Sequence, residues 1–518
     1  MKPTQQQIDA CEHVRRSPKH LALKARAGTG KSETIRMMVK ECSTRERTLI
    51  VTFNKENQLE MAAKVPRRVD VKTLHALGFA ATQNAWARRL ETDSERQRSF
   101  AAQIIPQPLP GVVGRSYHFK SAVAVTKKLA SLCGCFLVDD VEDILGVMQQ
   151  YGVLLPLGLE KEQVASWVQH VLKESLKETT AISYDDMVYI PAKLDLRTGS
   201  YDNVFFDEAQ DGNAAQKRLI LNAIKDKGKI IVVGDDRQAI YVFRGAGDGA
   251  FDDLISTLDA DVLPLSMTFR CPKYVVELVR PIVYDYEAMP DAPNGCITWD
   301  TEADLCEQIR PGHSIISRSN FFLTKICMKL LRSGVRVKIV GRDFGEQLCS
   351  LVGRLDGRDV NNMLERLTPY VTDESERLVA AGKEEKAEEL ADTAEALREL
   401  SEGVRRIPEL ISKLESLFID KEGGDFVRGS TVHKAKGFQW NDVWMMESSF
   451  RLGKTEDENL YYVAATRTLW TPDHSGHLHL VQSPARSGKT PLSIARNGLL
   501  TDNQIYHIER GLQCPRTE

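Results

Sequence analysis

The chain has no long apolar run. No stretch of its 518 residues approaches the ~18 apolar residues of a membrane span, so no membrane partner is expected. The opening residues Met1-Lys2-Pro3-Thr4-Gln5-Gln6-Gln7 hold no apolar core, so no secretory signal is expected. Ten cysteines are scattered, and only Cys133 and Cys135 lie close, with a spacing that does not suit zinc. That argues against a disulfide frame or an iron–sulfur cluster and fits reduced thiols in a cytoplasm. A basic excess is also missing: the formal net charge is −3, so any nucleic-acid surface must be a local basic stripe. No internal repeat of short period is visible, which argues against a solenoid.

What is present is a soluble globular composition, with 42% hydrophobic and 27% charged residues, in a chain long enough for about three to four domains. The decisive stretch is Ala25-Arg26-Ala27-Gly28-Thr29-Gly30-Lys31-Ser32. His20-Leu21-Ala22-Leu23-Lys24 before it reads as a buried strand. Ile35, Met38 and Val39 after it share one helical face. Strand, glycine-rich turn and helix form the context of a phosphate-binding loop. Gly28 and Gly30 let the backbone N–H groups turn inward as an anion nest, and the helix adds its positive end. Lys31 would reach the β- and γ-phosphates, and Ser32 would ligate Mg²⁺. The usual first glycine is replaced by Ala25.

Residues 1–75 alternate strands and helices: a strand over 47–53, a helix capped by Asn54 and running to Lys64, and a short strand and turn over 69–75. Helical patterns dominate 76–183 (Ser121–Leu132, Val141–Tyr151, Lys161–Lys177). Strands return at 201–207 and 229–235. A second α/β unit begins near 280, with strands expected at His313–Ser317, Val335–Val340, Ser430–His433, Asp442–Met446 and His477–Val481. A charged helical stretch interrupts it. There Leu390, Ala394 and Leu397, then Val404, Ile407, Ile411, Leu414 and Phe418, form an amphipathic stripe broken by Pro408. The acidic run Asp373–Glu402 reads as a solvated helix face. The plan is α/β: two parallel sheets, each interrupted by a mainly helical insertion, with ligands at the carboxyl ends of strands.

At Val204-Phe205-Phe206-Asp207-Glu208-Ala209-Gln210-Asp211 an apolar strand delivers two adjacent carboxylates. In phosphoryl-transfer chemistry Asp207 would hold Mg²⁺ and Glu208 would position the attacking water. Gly234-Asp235-Asp236-Arg237-Gln238 ends another strand, where Gln238 could touch the γ-phosphate. Tyr241 and Phe243 follow, two apart, so on extended backbone they face one side and could stack bases.

These motifs resemble those of the UvrD/Rep/PcrA-type DNA helicases of superfamily 1, in style nearest the F-box DNA helicase group. Matches run in order along nearly the whole chain. Gln7, with Ala10 behind it, resembles an adenine-reading glutamine motif. Val51-Thr52-Phe53-Asn54-Lys55, Thr73-Leu74-His75 and Tyr184-Asp185-Asp186-Met187 resemble the short motifs after the loop. Leu265-Ser266-Met267-Thr268-Phe269-Arg270, Ser317-Arg318-Ser319-Asn320, Thr431–Trp440 and Glu458–Arg467 resemble the later ones.

The resemblance implies two RecA-like domains that bind ATP with Mg²⁺. It assigns 1–75 and 184–280 to the first domain and 76–183 to its helical insertion. It assigns 281–345 and 426–482 to the second, 346–425 to a short second insertion and 483–518 to a tail. By resemblance Lys31, Asp207, Glu208, Gln238, Arg270 and Arg467 are catalytic. Gln7, Ala27, Gly28, Thr29, Gly30, Lys31, Ser32, Phe269 and Gln439 bind nucleotide, and Ser32 and Asp207 hold the metal. Phe53, Asn54, Thr73, His75, Tyr241, Phe243, Arg318, Asn320 and His433 face or couple to single-stranded DNA, though His75 and His433 could equally be structural histidines. Family members often carry a glutamate where this chain has Gln439, which removes a charge near the ribose. Ser487-Gly488-Lys489-Thr490 imitates a phosphate loop without the glycine-rich turn and is set aside.

The function expected is an ATP-dependent helicase moving 3′ to 5′ on single-stranded and tailed duplex DNA. It would act as a cytoplasmic, nucleoid-associated monomer in repair, recombination or replication. Two rivals stand beside it: a non-processive translocase that strips proteins from DNA, and a nucleotide-gated subunit of a repair or phage-defence complex.

Overall fold

The computed structural model describes residues 2–107, 115–151, 153, 155, 159–240, 249–355, 357–380, 384–419, 425–450, 453 and 455–482. Tyr241, Phe243, the Ser487–Thr490 imitation and the expected tail over 483–518 lie outside the described residues. The chain divides into two compact units. One holds the residues up to Ala25 and Gly30–Leu265; the other holds Arg26–Thr29 and the described residues from Ser266 onward.

The first unit is built on six strands: β1 Leu21–Ala25, β2 Thr48–Thr52, β3 Val69–Thr73, β4 Tyr201–Phe206, β5 Ile224–Gly234 and β6 Asp261–Leu265. They pair in the order β3-β2-β4-β5-β1-β6, and every pairing is parallel. A parallel sheet is buried on both faces, which is why β2 reads Thr-Leu-Ile-Val-Thr with all five residues buried. The two-residue period sorts the side chains. Leu21, Leu23, Ile50, Phe205, Ile231 and Val233 pack with the helices Gln5–Arg16 and Lys31–Glu41 on one face. Ala22, Leu49, Val51, Val204, Phe206 and Val232 pack on the other.

The crossover from β3 to β4 contains the helical insertion. Helices Arg96–Ile104, Arg115–Phe136, Val141–Gln150 and Lys161–Lys177 enclose their own core around Ile144, Trp167, Val168 and Leu172. Asp186, read from sequence as part of a motif, is a buried structural anchor. It accepts from Arg96 Nη1 (2.5 Å), Gln97 Nε2 (2.8 Å) and Ser183 Oγ (2.8 Å). Helix Leu74–Ala85 meets helix Tyr184–Lys193 so closely that a Cβ on Gly78 would stand 1.9 Å from the Met187 carbonyl oxygen.

The main sheet of the second unit has seven strands: β7 Cys296–Thr301, β8 Ser314–Ser317, β9 Val337–Val340, β10 Phe418–Ile419, β11 Val427–Thr431, β12 Asp442–Met445 and β13 His477–Gln482. Their order is β7-β13-β12-β8-β11-β9-β10, again all parallel. The amphipathic stripe departs from its expected form in two places. The helices are Glu384–Ser401 and Ile407–Leu417, so the break falls at 402–406, and Pro408 sits in a first turn, where a missing N–H is harmless. Phe418 is not on the stripe: it opens β10 beside Ile339. His433 lies in the short helix Val432–Ala435 rather than in a strand. Among the described residues no single helix is long and apolar enough to cross a membrane, and nine cysteines are free thiols.

Candidate nucleotide-binding site

The carboxyl ends of β1, β4 and β5 bring the first unit's polar motif residues together, as the parallel sheet requires. Gly28 (φ +70°) and Gly30 (φ +77°) both take left-handed backbone, and Gly30 leads into helix Lys31–Glu41. Ser32 is exposed in the first turn. Lys31 Nζ lies 2.8 Å from Glu208 Oε1. Burial opposes the lysine's charge, but the carboxylates of Glu208, Asp207 and Asp235 outweigh it and hold the ammonium above its usual range.

Glu208 is itself in left-handed backbone (φ +53°), an unfavourable state for a residue with a Cβ, and this aims its carboxylate at Lys31. Its other oxygen accepts from Gln210 Nε2 at 2.6 Å. Gln210 Oε1 accepts the Asp235 N–H at 3.0 Å, and Asp235 Oδ2 accepts from Gln238 Nε2 at 2.7 Å. One chain of contacts therefore runs from Lys31 to Gln238. Asp207 is buried at the end of β4, and burial together with Glu208 pushes its carboxyl up to about 7. Gln210 and Asp235 lie within the motifs, but the sequence shows no role for them, because only folding makes them neighbours. Gly234 is the trace of that contact: a Cβ there would stand 2.5 Å from Gln210 Oε1.

Gln7 is buried and already engaged. Its Oε1 accepts the Thr4 N–H (3.0 Å) and its Nε2 donates to Thr34 Oγ1 (2.9 Å), tying helix Gln5–Arg16 to helix Lys31–Glu41. Phe53 is half-buried and stacks on Phe206 at 6.3 Å. Asn54 and Thr73 cap helices, accepting the N–H groups of Asn57 (2.7 Å) and Ala76 (3.2 Å). His75 is half-buried with its edge on Tyr184, and burial pushes its pKa down.

In the second unit, Arg26–Thr29 are held by Tyr462, Tyr286 and Asp285, to which the sequence assigns no role, and by Phe269. Ala27 N–H donates to Tyr462 Oη (2.7 Å), and Tyr286 Oη donates to the Ala27 carbonyl (2.8 Å). Arg26 forms a two-pronged pair with Asp285 (2.9 and 3.0 Å). Thr29 is buried, with its hydroxyl on the Arg26 carbonyl, and Phe269 N–H donates to the Gly28 carbonyl at 2.8 Å. Arg270 lies against Gly28: a Cβ on that glycine would stand 2.5 Å from Arg270 Cβ.

Arg467 is fully buried. It donates to the carbonyls of Val463 (2.8 Å) and Phe438 (3.4 Å), while burial and Arg270 push its pKa down to about 10. Gln439 is exposed. Arg318 pairs with Asp457 (3.0 Å), Asn320 opens helix Asn320–Arg332, and His433 is half-buried after β11.

Residues 3–258 match the family model described as the UvrD/REP helicase N-terminal domain. The chain is 23% identical over 508 residues to F-box DNA helicase 1 of Gallus gallus, covering 90% of this chain and 48% of that protein. It is 25% identical over 137 residues to ATP-dependent DNA helicase PcrA of Bacillus subtilis (24% and 18%). It is 38% identical over 74 residues to Gabija protein GajB of Bacillus cereus (14% and 15%). The chain spans less than half the length of each of these relatives. The motifs in order and the phosphate-loop lysine facing a strand-end carboxylate pair agree with the family match: over residues 3–258 the chain carries the N-terminal domain of a UvrD-like helicase.

Proposed function

We propose that the protein is an ATP-dependent DNA helicase that translocates 3′ to 5′ along single-stranded DNA. The observation that carries this is the Lys31–Glu208–Gln210–Asp235–Gln238 network, which links a phosphate-loop lysine to the residue proposed to sense the γ-phosphate. The family match, and relatives whose names state DNA helicase activity, support the substrate class.

In this reading Lys31 leaves Glu208 to engage the phosphates. Glu208 is then free to orient the attacking water, held in aim by Gln210. Ser32 and Asp207 offer the hard oxygen donors that suit Mg²⁺, and a buried carboxyl with a raised pKa fits a place where a cation belongs. When bound, the ion would offset negative charge on the phosphates. Arg270 and Arg467 would add planar, permanently charged donors to the phosphate oxygens. Arg467 must first release the carbonyls it now holds. Phe53 offers the face not covered by Phe206 to a base, and Arg318 and Asn320 would meet the DNA backbone.

The domain reading goes with this function: RecA-like domains over 1–75 with 184–280 and over 281–345 with 426–482, carrying insertions at 76–183 and 346–425. ATP hydrolysis with and without single-stranded DNA, followed by strand displacement on 3′-tailed, 5′-tailed and blunt duplexes, tests the proposal. DNA-stimulated hydrolysis with unwinding of the 3′-tailed substrate is expected. Hydrolysis indifferent to DNA would refute the motor.

A further inference from the structure

The strongest unassigned chemistry lies at the amino-terminal ends of the second sheet, away from the carboxyl ends that carry Arg318 and His433. Three adjacent strands align there, with Cys296 and Asp442 in register with His477, and Thr298 and Trp444 in register with His479. The two-residue period puts Thr298, Asp300, His477, His479, Asp442 and Trp444 on one face. Four of the chain's 11 histidines gather here, since His313 just precedes β8 and His474 lies in the turn before β13.

We propose that Asp442, His477 and His479 form a binding site for a divalent transition metal ion of the zinc class. One donor atom from each of the three lies within 4.8 Å of the others. Zinc–ligand bonds of about 2.0–2.2 Å place donors roughly 3.4 Å apart, so the side chains need close by at most about 1.4 Å.

The surroundings are built as an outer shell is built. His479 Nδ1 is committed to Asp300 Oδ2 (2.9 Å), the carboxylate–histidine arrangement that fixes a ligand's tautomer and leaves Nε2 for an ion. The ring cannot turn: Trp444 stacks on it at 3.6 Å and His477 stacks at 3.6 Å. Asp442 is also oriented. The Nε2 atoms of His474 (3.2 Å) and His313 (4.0 Å) approach the same oxygen, Oδ2. Both rings accept a hydrogen bond at Nδ1, from Gly476 N–H (3.1 Å) and Trp444 Nε1–H (3.2 Å), so in neutral form each presents its proton at Nε2. That leaves Asp442 Oδ1 for the ion. His479 is buried while Asp442 keeps a side-chain exposure of 20%, so the site is rigid on one side and open on the other. Three N/O ligands with one open position suit Zn²⁺ or Co²⁺ and not Mg²⁺ or Ca²⁺.

The test uses the full-length chain, stripped by chelator and kept in excess Mg²⁺, titrated with Co²⁺ and followed by visible d–d absorption. One Co²⁺ per chain, displaced by Zn²⁺, is expected. Asp442→Asn and His477→Gln should each weaken binding at least tenfold, and His474→Gln, which touches only the outer shell, should weaken it less. His477 is partly exposed, so its variant also serves as the folding control: Zn²⁺ should raise the melting temperature of the unmodified chain and not that of His477→Gln. The proposal is overturned if the unmodified chain gives no d–d band, or if both ligand variants bind Co²⁺ as it does.

Discussion

Replacing Glu208 by glutamine separates two jobs of one side chain: the ion pair with Lys31 and the water-orienting role proposed above. The carboxylate now pairs with Lys31 at 2.8 Å, with side-chain exposures of only 14% and 25%. ATP must therefore break a shielded ion pair before Lys31 can meet a phosphate. A hydrogen bond to a charged partner contributes about 1.5–3 kcal/mol net. The glutamine carbonyl still accepts one bond from Lys31, so the lower end applies, about 1.5 kcal/mol. Glu208→Gln should then tighten ATP binding roughly tenfold. The same change removes the base that orients water, which should slow the chemical step by about 10²–10⁴-fold. Titration with a fluorescent ATP analogue measures the first effect, and single-turnover hydrolysis at saturating ATP measures the second. Binding that does not tighten would refute the competition between Glu208 and phosphate for Lys31. Hydrolysis at the unmodified rate would refute the role of Glu208 in chemistry.

Gly28→Ala puts a methyl group 2.5 Å from Arg270 Cβ at φ +70°, so ATP binding should fall below detection in the same titration while the helical insertion keeps its hydrogen-exchange protection. Asp186→Asn leaves the buried Arg96 with Glu178 as its remaining carboxylate partner (3.0 Å) and should destabilise the insertion by about 3 kcal/mol, read as faster hydrogen exchange in helices Lys161–Lys177 and Tyr184–Lys193. Tyr462→Phe removes the acceptor of the buried Ala27 N–H and should cost about 1–3 kcal/mol, seen as a lower melting temperature.

The parallel sheets were legible wherever a strand is buried on both faces, because such strands are continuous apolar runs. Leu49–Val51 in β2 and Ile230–Val233 in β5 are examples. β7 escaped notice: Cys-Ile-Thr-Trp-Asp-Thr is a sheet edge with one neighbour, so it needs no apolar run. Phe418 reads as helical because a stripe spaced by threes and fours runs up to it, and only its pairing beside Ile339 shows the change of period. The loop residues and strand-end carboxylates could be read from local spacing. Their partners could not: Gln210, Asp235 and Tyr462 lie inside motifs that give no sign of what they touch, Tyr286 lies in none, and all four make contacts that only folding creates. Asn54 and Thr73 carry the other ambiguity, since an N-cap and a nucleic-acid contact ask for the same small polar side chain.

The order β3-β2-β4-β5-β1-β6 also governs how the chain leaves the ribosome. β1 has β5 and β6 as its neighbours, and β5 begins about 200 residues after β1 ends. At roughly 5–20 residues per second, the strand that leads into the phosphate loop waits about 10–40 s for its first partner. Through that interval Leu21, Ala22 and Leu23 have no sheet to join, and the helical insertion, whose core is its own, can fold first. The nascent chain is thus most exposed to misassembly while the nucleotide site does not yet exist, and helpers that shield apolar strands should matter most in that window.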